Sequence, residues 1–176
     1  IENLGSMDVL CTDKTGTLTE AKIELERHVD AAGNSSARVL ELAFVNSRFE
    51  SGVKSPLDEA ILAHEEIAVA QWKKIDEVPF DFERRRISVL VDDGARRVLI
   101  VKGAPDDVLV HTARVEVDGT AVPLDDDARA RLRDLLAKLG DEGFRALAVA
   151  SREVERTRDH AGIADESELV LAGLCA

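Results

Sequence analysis

The stretch richest in chemistry is a polar loop at 13–19, with the sequence Asp-Lys-Thr-Gly-Thr-Leu-Thr. It directly follows an apolar run at 7–11 that is predicted to be a short buried strand. An aspartate at the carboxyl edge of a sheet can attack a phosphorus centre and form an acyl phosphate. Lys14, the threonine hydroxyls and backbone N–H groups can surround the transferred group with donors. The Asp13 carboxylate and the Thr15 backbone carbonyl are oxygen ligands that suit Mg²⁺.

Basic residues further along the chain indicate that it binds an anion. The chain carries a net charge of −12, and against that background three adjacent arginines at 84–86 favour an anion site. Lys102 ends a predicted strand, Gly103 would let a ligand approach the backbone, and Pro105 begins a helix whose N-terminus favours anions. Arg145 lies in a predicted apolar strand and would need an anionic partner there.

Composition narrows the class of protein. The 176 residues are 45% hydrophobic, enough for a sizeable core, and 35 acidic against 23 basic residues argue against nucleic acid or an anionic membrane surface as the main partner. No apolar run approaches the ~20 residues of a membrane-spanning helix.

Cys11 and Cys175 both lie in apolar runs and are predicted to be buried, reduced thiols. The run at 169–176 ends while still strand-like, so we expect a piece of a longer chain.

Hydrophobic periodicity and turn signals predict the elements that position these residues. Helices are predicted at 36–49, from 56 to about 72, from 105 to about 112 and at 126–139. Strands are predicted at 7–11, 23–30, 87–92, 97–102, 114–117, 120–122, 144–150 and 168–174, with Asp-Gly hairpin turns at 93–94 and 118–119. Together they predict an α/β domain, α+β-like, with a largely antiparallel, twisted sheet flanked by helices.

The loop at 13–19 resembles the signature of the P-type ATPases, ion pumps that are phosphorylated on this aspartate. An isolated Asp-X-Thr-Gly could equally be an ordinary turn, but the full string is far more specific. The resemblance therefore implies that Asp13 is the phosphorylated nucleophile, assisted by Lys14 and Thr15, with a partial Mg²⁺ site at Asp13 and the Thr15 carbonyl. Related haloacid-dehalogenase phosphatases usually carry a second aspartate where Thr15 stands, so this residue favours the pump.

Three further motifs resemble segments of the same family. They are Pro-Phe-Asp-Phe-Glu-Arg-Arg-Arg-Ile-Ser-Val at 79–89, Lys-Gly-Ala-Pro at 102–105 and Gly-Phe-Arg-Ala-Leu-Ala at 143–148. The resemblance implies that ATP binds with its adenine stacked on Phe80 and with Asp58 near the adenine edge. The residues that it assigns to the rest of the nucleotide are Arg85, Lys102, Gly103 and Arg145.

The resemblance covers the whole chain and implies its organisation. Residues 1–20 are expected to be part of a phosphorylation domain with a hinge, 21–165 a nucleotide-binding domain, and 166–176 a strand returning to the phosphorylation domain. The bacterial magnesium-transporting branch is the most similar, partly because Phe82 stands where calcium pumps carry arginine.

The same resemblance implies the partners. They are ATP, Mg²⁺ and the parent's phosphorylation, actuator and transmembrane domains, at the cytoplasmic face of a plasma membrane that this piece does not itself enter. Because downstream family motifs are missing, we expect it to bind ATP without phosphorylating itself or turning over. Two alternatives stay open: a non-catalytic nucleotide-sensing or protein-interaction module, and a soluble aspartate-nucleophile phosphatase.

Overall fold

A computed structural model describes residues 8–9, 11–14, 17, 22–52 and 54–176. Its eight strands are β1 (His28–Val29), β2 (Lys73–Asp81), β3 (Arg86–Asp92), β4 (Arg97–Gly103), β5 (Thr112–Val117), β6 (Thr120–Pro123), β7 (Leu147–Val154) and β8 (Leu169–Cys175). Its α-helices are α1 (Ala37–Phe49), α2 (Pro56–His64), α3 (Pro105–Val110) and α4 (Asp126–Asp141), and a 3-10 helix spans Ile163–Asp165. Among the helices of these residues, none is both long and apolar enough to cross a bilayer.

The strands form a single sheet in the order β2-β3-β4-β7-β8-β5-β6, with β1 also paired to β8. Every pairing is antiparallel except that of β5 with β8. This confirms the predicted mixed α/β class with a largely antiparallel sheet. β8, which the expected domain division places in the phosphorylation domain, lies in the middle of this sheet; the division itself stays a prediction.

The sheet separates two apolar clusters. Val89 and Val91 of β3 join α1 and α2 on one face, whereas Leu90 joins α3 and α4 on the other. This is the two-residue alternation of a strand that is buried on both sides. α1 and α2 therefore lie on the face of the sheet from which Lys102 reaches them.

Local signals set most element boundaries correctly. Both predicted Asp-Gly hairpins are present, as β3–β4 and β5–β6. Ser36 begins α1 by accepting a hydrogen bond from the Val39 amide at 3.4 Å, and Asp125 caps α4 in the same way at 2.8 Å. α4 runs to Asp141, one residue beyond the glycine predicted to end it.

Several predicted elements were wrong. The predicted helix from 56 to about 72 ends at His64, and the predicted strand at 23–30 is reduced to His28–Val29. The prediction missed β2 because Pro79 was taken as a break. Proline is tolerated here because β2 is the edge strand, where a missing N–H leaves no ladder partner unpaired.

The predicted strand at 7–11 and its buried cysteine are not what the structure shows. Of this run, residues 8, 9 and 11 are described, and none lies in a strand. Val9 is 77% exposed and Cys11 is exposed, because no neighbouring strand of the described sheet covers them. Cys175, by contrast, is buried in β8 as predicted, and burial raises the pKa of its thiol to about 12.

Candidate nucleotide pocket

A cavity of about 550 Å³ opens where β2 and β4 end and β3 begins, facing the start of α2. Cavities of this size ordinarily take small ligands such as cofactors. The lining side chains that carry the following argument are Glu50, Asp58, Phe80, Phe82, Arg85 and Lys102. Apolar walls come from Leu57, Ile87 and Leu147. The structure thus brings together four predicted nucleotide residues that are spread over 45 positions of the chain, together with Gly103.

Phe80 stands at the rim of this cavity. A register shift between Val78 and Asp81 interrupts the pairing of β2 with β3 at this point. Irregularities of this kind re-aim side chains out of the regular pleat. Phe80 is 51% exposed, and its ring packs edge-on against Phe82, with centroids 5.3 Å apart and an interplanar angle of 85°. Phe82 is itself 88% exposed, so the rim presents two adjacent aromatic rings.

The floor of the cavity is a buried ion pair. Lys102, only 4% exposed at the end of β4, donates hydrogen bonds to the Asp58 carboxylate and, at 2.6 Å, to the Ser47 hydroxyl. Ser47 donates in turn to Asp58 at 2.9 Å. Burial alone would raise the pKa of Asp58, but Lys102 and the hydroxyl donors outweigh it and lower the pKa to about 2.

Asp58 reaches the pocket floor because of how α2 begins. Its carboxylate accepts from the backbone N–H of Ser55 at 3.2 Å, and the Ser55 hydroxyl accepts from the Asp58 amide at 3.2 Å. This reciprocal capping box fixes the first turn of the helix. The same carboxylate therefore caps α2 and neutralises Lys102.

Glu50 is a second buried carboxyl at this floor. Its side chain is 5% exposed and lies 4.0 Å from the Lys102 ammonium and 3.8 Å from that of Lys54. Burial raises the pKa of Glu50 to about 7, against the lowering influence of both lysines. The sequence interpretation missed Glu50 and Ser47. Ser47 was detectable, since it lies seven residues after Leu40 on the apolar face of a predicted helix.

The three arginines at 84–86 do not form a free anion site. Arg84 and Arg86 are both held by a buried internal carboxylate, that of Glu166. Arg85 alone lines the cavity, and its guanidinium lies 2.7 Å from Asp107. That contact is a charge pair rather than a well-directed hydrogen bond, because the buried Asp107 Oδ2 has no hydrogen-bond partner in the described residues.

A glycine is required at position 103 by close packing within the chain. A Cβ built there would lie 2.5 Å from the Arg85 carbonyl oxygen and 2.5 Å from the Arg86 Cβ. The close approach at this glycine is therefore made by the start of β3. Its predicted contact with a ligand stays a prediction.

Arg145 occupies a neighbouring cavity. β7 begins at Leu147, so Arg145 lies before the strand and is exposed. Its predicted place inside an apolar strand was wrong, and burial in that strand gives no reason to expect an anionic partner. The cavity that it lines, also about 550 Å³, shares Leu57 and Leu147 with the first. Its predicted contact with phosphates stays a prediction.

The predicted phosphorylation loop is described only in part. Asp13 and Lys14 are exposed, while Thr15 lies outside the described residues. A carboxylate suits Mg²⁺. However, the described part of the chain holds no cluster of three or more His, Cys, Asp or Glu residues able to bind a metal ion. Asp13 could therefore supply one ligand of a site but not a complete one.

An aromatic rim, apolar walls and a polar floor line this cavity, which lies in a domain of mixed α/β class. Residues 41–176 match the family model of the P-type ATPase cytoplasmic domain N. The chain belongs to that family.

The curated relatives that the chain resembles are also named as ATPases. The chain is 44% identical over 182 residues to the "Magnesium-transporting ATPase, P-type 1" of Escherichia coli strain K12, with all of this chain and 20% of the relative covered. The protein of the same name from Salmonella typhimurium strain LT2 is 45% identical over 183 residues, again with all of this chain and 20% of the relative covered. A calcium-transporting ATPase of Listeria monocytogenes is 27% identical over 201 residues, covering all of this chain and 23% of the relative. The chain thus spans about a fifth of the length of these relatives.

Proposed function

We propose that this chain is the ATP-binding domain of a cation-transporting P-type ATPase of the magnesium-transporting branch. The observation that carries the proposal is the cavity that gathers Phe80, Asp58, Arg85 and Lys102 from three separate stretches of the chain. An exposed ring at the rim suits stacking on a base, which is worth about 1–3 kcal/mol per base. The identity with relatives that are named as magnesium-transporting supports the choice of branch.

In this proposal the floor recognises the nucleotide without offering a free ammonium. Lys102 is already paired with Asp58 and Ser47, so its role is to hold a neutral, polar floor beneath the base. Arg85, at the rim and more than half exposed, is the cation that would turn from Asp107 to the phosphates, since an exposed ion pair is weak and easily exchanged. Arg145 in the adjoining cavity would extend the cationic side toward the triphosphate.

The parent's activity follows from the same proposal. The Asp13 carboxylate would attack the γ-phosphorus of ATP, and the bond to the bridging oxygen would break to release ADP. The resulting aspartyl phosphate, through its formation and its later hydrolysis, would drive cation transport across the membrane. Mg²⁺ would screen the phosphates during transfer, with Asp13 as one ligand and the others supplied by further domains. On this basis the chain studied alone binds ATP but does not phosphorylate itself or turn over.

The test is ATP binding to the 176-residue chain, followed by calorimetry and by amide chemical shifts. We expect Phe80→Ala to weaken ATP by roughly tenfold or more, since one base stack is lost. Val117→Ala is the control, because Val117 is similarly exposed at 48% but lies on β5 outside the cavity.

The outcome separates the candidate functions. Binding that depends on Phe80 supports the ATPase domain. No binding by the wild type even at several millimolar ATP would refute the assignment and leave an interaction module. The family assignment already favours the ATPase over a soluble aspartate-nucleophile phosphatase.

A further inference from the structure

Glu166 is the most deeply buried carboxylate of the described chain whose function is unassigned. Its side chain has no exposed surface, and it lies just after the 3-10 helix, far in sequence from the pocket. Its Oε1 accepts from Arg84 at 2.8 Å and from the Ser88 hydroxyl at 2.6 Å. Its Oε2 accepts from Arg84 at 2.9 Å and from Arg86 at 2.7 Å. Four donor contacts on one buried carboxylate make this a rigid anchor.

Arg84 connects this anchor to the pocket rim. While its Nη1 donates to Glu166, its Nη2 donates to the Pro79 carbonyl oxygen at 2.6 Å. That carbonyl belongs to the peptide bond that leads into Phe80. The guanidinium therefore bridges a fixed carboxylate and the backbone that carries the exposed ring.

The segment around Phe80 is held by side-chain contacts rather than by regular strand pairing. The ladder between β2 and β3 is irregular between Val78 and Asp81, so regular strand pairing does not hold Phe80 in place. The turn that follows is closed by the Asp81 carboxylate, which accepts from the Glu83 and Arg84 amides at 2.9 Å each. Arg85 then adopts a positive φ of 46°, a strained conformation for a side chain other than glycine, and its side chain turns to the cavity while its neighbours turn to Glu166.

We propose that Arg84, anchored on Glu166, is a positioning residue that holds Phe80 in the orientation needed to stack on the nucleotide base. This proposal rests on the proposed function. A side chain that must be ordered on binding costs affinity, and a ring that is already oriented avoids that cost. Arg84 itself has no contact with the nucleotide in this scheme.

A lysine at position 84 distinguishes a role in positioning Phe80 from a role in the stability of the fold. Lysine keeps the positive charge beside Glu166, but a single ammonium cannot reproduce the planar fork that reaches a carboxylate and a carbonyl together. Arg84→Lys should therefore keep the ion pair with Glu166 but lose the hydrogen bond to the Pro79 carbonyl oxygen.

The chain offers a closely matched control in Arg97. Its guanidinium also bridges a carboxylate, that of Asp92 at 3.2 Å, and a backbone carbonyl, that of Arg158. Its side chain is 15% exposed against 16% for Arg84. Arg97 lies at the opposite end of β4 from Lys102, and the same substitution there should not affect the pocket.

The experiment compares Arg84→Lys and Arg97→Lys in the 176-residue chain. The measurements are thermal unfolding, the ATP dissociation constant, and the aromatic ¹H–¹³C signals of Phe80 recorded without ligand. We expect both variants to unfold at similar temperatures, but only Arg84→Lys to shift or broaden the Phe80 signals and to weaken ATP by about fivefold or more.

The possible failures are distinguishable. If Phe80 signals and ATP affinity in Arg84→Lys match those of Arg97→Lys, the positioning role is refuted. If the wild type does not bind ATP, the proposed function fails. In that case the ligand-free Phe80 signals still decide whether Arg84 orients the ring.

Discussion

Replacing Lys102 with methionine should destabilise the fold as well as the pocket. The ammonium is buried with the Asp58 carboxylate, the two side chains being 4% and 8% exposed. The pKa of Asp58 falls from 3.8 to about 2 despite its burial. At about 1.4 kcal/mol per pKa unit, the ionised form gains roughly 2 kcal/mol. Removing one partner of a buried pair typically costs about 3–5 kcal/mol. We therefore expect Lys102→Met to lower the free energy of unfolding by about 3 kcal/mol at neutral pH.

Urea denaturation of a double-mutant cycle measures this loss. Asp58→Asn alone should also destabilise, since it leaves Lys102 buried without its anion, whereas the double variant should cost less than the sum of the two. Lys74→Met is the control: its ion pair with Glu77 at 2.8 Å is only part-buried, and such pairs contribute roughly 0–1 kcal/mol.

The result that would refute this reasoning is a small effect. If Lys102→Met costs no more than Lys74→Met, or if the cycle is additive, the Lys102–Asp58 pair does not hold the pocket floor together. A large effect has a practical consequence, because ATP binding to Lys102 variants is then interpretable only where the chain is shown to be folded.

Two further predictions concern the same floor and its edge. Because burial raises the pKa of Glu50 from 4.5 to about 7, the folded chain binds this proton more tightly than the unfolded chain, and stability should fall as pH rises through that window. The fall should be at most about 3 kcal/mol and absent in Glu50→Gln, as measured by urea denaturation across the pH range; a wild type with flat stability would contradict it. Gly103→Ala should destabilise by about 1–3 kcal/mol, because the new methyl group meets the backbone of Arg85 and Arg86. The control Gly140→Ala, with open space in α4, should stabilise by about 0.5–1 kcal/mol, and equal effects of the two changes would argue against this packing.

Patterns that are local in the sequence predicted the local parts of the structure. The two Asp-Gly hairpins and the capped helices α1 and α4 depend on turn chemistry and periodicity within a few residues. The predictions failed where the position of an element in the tertiary fold determines whether its sequence is tolerated. β2 tolerates Pro79 because it is an edge strand, and position in a sheet is not a local property.

The sequence by itself determined the family resemblance, the mixed α/β class and the residue types that could bind a nucleotide. Only the tertiary structure decided which charges meet. Asp58 and Lys102 are 44 residues apart, and Arg84 and Glu166 are 82 apart. The sequence predicted that the arginines at 84–86 form an anion site. In the folded chain, two of them are paired with the internal carboxylate of Glu166. The physical reason is that a buried charge must find a partner, and the fold selects that partner by proximity in space rather than along the chain.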